Sequence, residues 1–116
     1  MKIVYIAHPV SGDITGNLKK IQSIIRQINL YYPDILPFAH YVVDCYSLDD
    51  DNPIERLRGI KNDIALLKAG FVNEMWLYGN KISEGMKAEI KLAKELGILV
   101  CPKTTETMEE YIKYNL

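Results

Sequence analysis

The stretch from Phe71 to Cys101 reads FVNEMWLYGNKISEGMKAEIKLAKELGILVC, and its pattern is one strand, one helix and a second strand. Phe71 to Tyr78 is short, apolar and aromatic, as a buried strand is. Gly79-Asn80 is a turn signal. Ser83 suits a helix N-cap, and the helix it opens runs to Leu96 and stops at Gly97. Ile98 to Cys101 is the next strand. Two apolar strands joined through a helix form the crossover that parallel pairing requires.

The same alternation extends in both directions. Lys2 to Ala7 is a first strand, and His8 to Gly12 a loop with Pro9 and Gly12 as breakers. From Asp13 to Leu30 the residues Ile14, Leu18, Ile21, Ile25 and Ile28 fall at helical spacing. Ile35 to Ala39 is a short second strand interrupted by Pro37. His40 to Asn52 reads as a long polar and aromatic connection. Pro53 opens a helix with Ile54, Leu57, Ile60, Ile64 and Leu67 on one face. Thr105 to Tyr114 is a closing helix. The order βαβαβαβα over residues 1–116 predicts one α/β domain of three layers, Rossmann- or flavodoxin-like, with a parallel sheet of four to five strands. Right-handed crossovers collect the strand C-terminal ends at one edge. Segments 8–13, 40–52 and 79–85 would form that edge, where ligands bind in such folds.

The totals narrow the partners. A chain of 116 residues fits a single domain. A formal net charge of −1 leaves no electrostatic footprint for long nucleic acid or an anionic membrane. Cys45 and Cys101 form no CxxC pair, and His8 and His40 stand far apart, which argues against a metal site. With no secretory leader and no apolar run of about 20 residues, the expectation is a cytoplasmic protein with reduced thiols.

One carboxylate breaks the pattern of the helix after Ser83. At about 100° per residue, Met86, Ile90, Ala93 and Leu96 form an apolar stripe, with Lys87, Lys91, Lys94 and Glu95 opposite. Glu89 points between Ala93 and Leu96, inside the stripe. A carboxylate facing a core is costly unless it is paired or opens onto a cavity. Either it satisfies a neighbouring backbone group or buried base, or it is a nucleophile or general base aimed at the ligand edge. Gly85 permits close approach of backbone to a ligand, and the free N–H groups from Ser83 to Met86 could hold an anion near Lys81 and Lys87.

Ser83-x-Gly85-x-x-x-Glu89, followed by Ala93 and Gly97, resembles the signature of the nucleoside 2-deoxyribosyltransferase family. The resemblance spans residues 2 to 101, and Tyr5-Ile6-Ala7-His8-Pro9 with Ser83 to Ile90 is similar to short phage and bacterial members. It implies that Glu89 is the catalytic nucleophile, that Tyr5 orients it and that Asp63 lies near the sugar. It also implies a substrate pocket that includes His8, Pro9, Gly12, His40, Ser83, Gly85 and Met86, with no metal or organic cofactor. The reaction implied is cleavage or transfer of the N-glycosidic bond of a (deoxy)nucleoside or nucleoside 5′-monophosphate, in a homo-oligomer. Base-exchanging members carry aspartate where this chain has Ser83, whereas the 2′-deoxynucleoside 5′-monophosphate N-glycosidase branch has a phosphate-holding serine. Against that branch, His8-Pro9 replaces Gly-Ser, Ser11 replaces the phosphate-binding arginine, and Asn73 stands where many relatives are acidic.

Plainer readings compete. A non-catalytic protein that sequesters or senses a nucleotide would use the same pocket. Tyr5 could be an interior strand residue, and Asp63 could pair only with Lys61 or Lys68. His8-Pro9 could be a rigid turn, His40 and its neighbouring tyrosines could cover a subunit interface, and Trp76 reads as core.

Overall fold

A computed structural model describes every residue from Met1 to Leu116. The elements in chain order are β1 (Lys2–Ala7), α1 (Ile14–Tyr31), β2 (Ile35–Phe38), α2 (Tyr41–Ser47), α3 (Pro53–Lys68), β3 (Glu74–Leu77), α4 (Glu84–Glu95), β4 (Leu99–Pro102) and α5 (Thr105–Lys113). The four strands form one parallel sheet in the order β2-β1-β3-β4. Val4 pairs with Pro37 on one side and Glu74 on the other. Pro37 is tolerated because β2 is an edge strand, where a missing N–H need not break a ladder.

Side chains alternate across the central strands and build two cores. Val4, Ile6 and Trp76 pack with Leu18, Ile21 and Ile28 of α1 on one face. Tyr5, Ala7, Met75 and Leu77 pack with Leu67 of α3 and Met86, Ile90 and Ala93 of α4 on the other. Both faces are covered, which is why β1 and β3 read as nearly continuous apolar runs. The helix starts are capped by side chains. Asp13 accepts from the Gly16 N–H at 3.1 Å, Asn52 from Ile54 at 2.9 Å, and Thr104 shares a reciprocal capping box with Thr107.

Three elements differ from the sequence expectation. The segment 40–52 contains the helix α2, pinned by the Tyr41 hydroxyl donating to the Ile6 carbonyl at 2.7 Å and by Val42 and Cys45 packing on the α1 core. β3 begins at Glu74 instead of Phe71, because Asn73 already closes onto β1: its N–H donates to the Ile3 carbonyl and its side-chain oxygen accepts the Ile3 N–H. The apolar face assigned to α3 is not a core face. Of its five residues only Leu67 is buried; Ile54, Leu57, Ile60 and Ile64 are 81%, 51%, 48% and 38% exposed. α3 is rotated so that Gly59 and Asn62 meet α2, with Asn62 donating to Asp44 at 3.4 Å, and Asp63 meets Tyr5. No helix is long and apolar enough to cross a membrane.

Candidate active site

β1 alternation sends Tyr5 to the face covered by α3 and α4, where it is fully buried. Its ring stands edge-on to Phe38, with centroids 5.5 Å apart, and leans on Tyr41 at 5.9 Å, so its position is fixed by packing. Its hydroxyl reaches two carboxyl groups from two different helices: Asp63 Oδ1 of α3 at 2.7 Å and Glu89 Oε2 of α4. Residues 58 and 84 positions apart in sequence from Tyr5 thus converge on one oxygen.

The proton count of this cluster decides its chemistry. A phenol has one hydrogen and can donate to one carboxylate only. The other carboxyl must bring its own proton or face the phenol oxygen unpaired. Burial raises the Glu89 pKa well above the usual carboxylate range; the Asp63 carboxyl beside it adds to the rise, and the Tyr5 hydrogen bond opposes it. Burial, followed by the negative charges of Glu89 and Asp63, pushes the Tyr5 phenol well above its ordinary value, so it stays O–H. Tyr41 is raised by the same causes in the same order. Glu89 and Asp63 keep partial solvent contact as residues although protein crowds the Glu89 carboxyl.

α4 begins at Glu84, about one and a half turns before Glu89. Ser83 caps it, its Oγ accepting from the Met86 N–H at 3.3 Å. Met86 itself is core, with its side chain buried and that N–H engaged. At Gly85 an added Cβ would meet nothing closer than Ser83 Oγ at 4.0 Å, so space is open there and the fold itself does not demand glycine. Lys87 pairs with Glu84 at 3.1 Å and lies over the Tyr114 ring, away from the apolar stripe.

The remaining sequence candidates gather elsewhere. His8, Pro9 and Gly12 line a polar cleft of about 740 Å³ with Tyr78, Gly79 and Lys81. Neither Glu89, Tyr5 nor Asp63 lines that cleft. His40 sits at the N-cap of α2, its Nε2 3.5 Å from Asp44 Oδ1. Trp76 is buried in the α1 core and donates its indole N–H to Glu74 at 2.9 Å. A hollow of about 490 Å³ between α1 and α2 is lined mainly by apolar side chains such as Ile25, Leu30 and Val42, and brings no acid–base pair together. Tyr41, which packs on the Tyr5 ring, was missed from sequence as a support of the carboxyl cluster. Its only signal was an aromatic residue in a segment that read as a loop.

A family model described as a domain of unknown function (DUF7768) matches residues 2–102. No curated protein matches the sequence.

Proposed function

We propose that this chain, which belongs to the DUF7768 family, cleaves or transfers the N-glycosidic bond of a nucleoside or nucleoside 5′-monophosphate, with Glu89 as nucleophile. The observation that carries the reading is the convergence of Glu89 and Asp63 on the hydroxyl of Tyr5. Two close carboxyls on one fixed phenol are the parts of a retaining displacement at an anomeric carbon.

The ionised Glu89 attacks C1′ of the sugar. The C1′–N bond breaks, and its electron pair leaves with the base, which takes up one proton. That proton is the one Glu89 gives up as it ionises, drawn from the hydrogen-bonded Glu89–Asp63 pair. A glycosyl ester on Glu89 results. Water then adds at C1′, the C1′–O ester bond breaks back to the Glu89 carboxylate, and the water proton returns to the Glu89–Asp63 pair. A second base in place of that water gives transfer instead of hydrolysis. Tyr5 holds the Glu89 oxygen on line throughout.

Base release from a panel of nucleosides and nucleoside 5′-monophosphates tests this, with the wild type beside Glu89→Ala. Release from at least one member is expected, with a loss of at least about a hundredfold on substitution. Equal rates in the two proteins refute the assignment. The elevated Glu89 pKa also suits a second reading, in which a protonated Glu89 binds a nucleotide without reacting. Saturable binding with no base released from any substrate would favour it.

We further propose that the protein works as a homo-oligomer, because Ile54, Leu57, Ile60 and Ile64 leave one helix face apolar and uncovered.

A further inference from the structure

The Glu89–Asp63 pair stands where the protein supplies no counter-charge. Neither carboxyl has a lysine, arginine or histidine nitrogen within 4.0 Å; the three ion pairs join Lys2 to Glu74, His40 to Asp44 and Lys87 to Glu84. Other bases on the same two helices are engaged elsewhere. Arg58 Nε donates to Asn62 at 3.1 Å, and the Lys94 ammonium lies 4.9 Å from the Tyr111 ring centre. Glu89 is the sixth residue of α4, beyond the first turn over which the positive end of a helix acts. The groups that act electrostatically on Glu89, Tyr5 and Tyr41 are all acids.

The pair's other neighbours are aromatic. The Tyr5 ring meets Tyr41 and Phe38, and Phe38 meets Phe71 at 6.1 Å, which is half-exposed. Aromatic faces attract cations.

This setting constrains the substrate. Attack at C1′ needs ionised Glu89, so the pair then carries one negative charge, with its remaining proton on Asp63. A buried carboxylate without counter-charge is costly. A neutral base departs with an electron pair and takes that last proton, which leaves Asp63 ionised in the same place. A base that is already a cation reverses both effects. It brings the missing charge with it, and it departs neutral.

Resting on the glycosidic reading of Glu89, we infer that the substrate of this site is an N-glycoside of a cationic heterocycle, of the pyridinium or N-alkylpurinium class. The Glu89 carboxylate bonds to C1′, the C1′–N bond breaks, and its electron pair neutralises the base. No proton is transferred in this step, and Asp63 keeps its own. Water then adds at C1′, the C1′–O ester bond breaks back to the Glu89 carboxylate, and one proton of that water passes to solvent.

Base release by the full-length chain tests the inference. Nicotinamide riboside and 7-methyladenosine represent the two cationic sources, and adenosine and uridine the neutral class, each also in its 2′-deoxy form. Cationic N-glycosides break more readily in water, so each kcat/KM is divided by the spontaneous rate of the same nucleoside. That ratio should be at least about tenfold higher for a cationic nucleoside than for either neutral one, the scale of one charged contact. An advantage confined to nicotinamide riboside assigns the pyridinium source, and one confined to 7-methyladenosine the purinium source. An unreactive cation gives a second readout: 1-methylnicotinamide should compete with substrate at least about tenfold better than nicotinamide. Neutral nucleosides with equal or higher ratios, or equal competition by the two nicotinamides, would overturn the inference and leave Glu89 as nucleophile. No base released from any nucleoside would refute the glycosidic reading, and this inference with it.

Discussion

At the scale of the residue, the consequences follow from one phenol hydrogen between two carboxyls. Glu89 has a folded-state pKa raised above its ordinary value of 4.5, first by burial and then by Asp63. Its contribution to stability is therefore full below about pH 4.5 and is lost as pH rises through the folded value. Glu89→Gln removes that penalty while keeping an acceptor for Tyr5. Denaturant unfolding should show the variant more stable than wild type at pH 8, with the gap closing toward pH 4.5. A gap that widens on acidification would mean the carboxylate is stabilised, not strained, by its surroundings. The same shift sets the activity profile: attack needs ionised Glu89, so kcat/KM should fall with decreasing pH well before a surface glutamate would titrate. Tyr5→Phe leaves the two carboxyls without their shared donor. A loss of about 1–3 kcal/mol of stability is expected, read from denaturant melts. Base release should drop by at least about tenfold, as the nucleophile loses its alignment. Glu89 was legible in the sequence because a carboxylate inside an apolar helical stripe violates the helix's own pattern. Tyr5 was not legible by pattern, since a strand buried on both faces gives every residue the same apolar reading.

At the scale of the element, β1, α1, α4 and the strand order's parallel sense were readable because each is long or strongly periodic and capped by its own signal, such as Asp13 or Ser83. α2 was hidden. Tyr41 to Ser47 carries no N-cap side-chain bond, and it is helical because Tyr41 anchors it to the Ile6 carbonyl across 35 positions of chain. Tertiary contact, not local propensity, makes that element. The turn after β3 is the opposite case, fixed locally and tightly. Gly79 has φ of +97°, and a Cβ on it would stand 2.6 Å from Pro9 Cδ. Gly79→Ala meets both a backbone penalty and a steric one, and about 1–3 kcal/mol of destabilisation is expected. Adding Pro9→Ala removes only the overlap with the ring. The double variant should therefore regain part of the lost melting temperature and not all of it. Full recovery would show that the φ at this turn carries no cost.

At the scale of the whole molecule, the stripe Ile54, Leu57, Ile60 and Ile64 is where the sequence pattern and the folded chain part company. Helical periodicity reports that a face is apolar; it does not report whether the cover comes from the same chain. Within this chain the cover is missing, since α3 turns Gly59, Asn62 and Asp63 inward to meet α2 and Tyr5. The rotation has a functional logic: turning the apolar stripe inward would carry Asp63 away from the Tyr5 hydroxyl. An α3 that serves the carboxyl cluster must therefore show its leucine and isoleucines to something else. A second copy is the partner proposed, and it makes a measurable demand. Sedimentation of the wild type at tens of micromolar should give a mass above that of one 13.3 kDa chain. Leu57→Glu places a charge on a side chain already 51% exposed in the single chain, so the fold should survive with unchanged circular dichroism while the mass falls toward the monomer. A wild type that sediments as a monomer would leave the stripe without that explanation. An oligomer untouched by Leu57→Glu would move the interface to another face of the molecule.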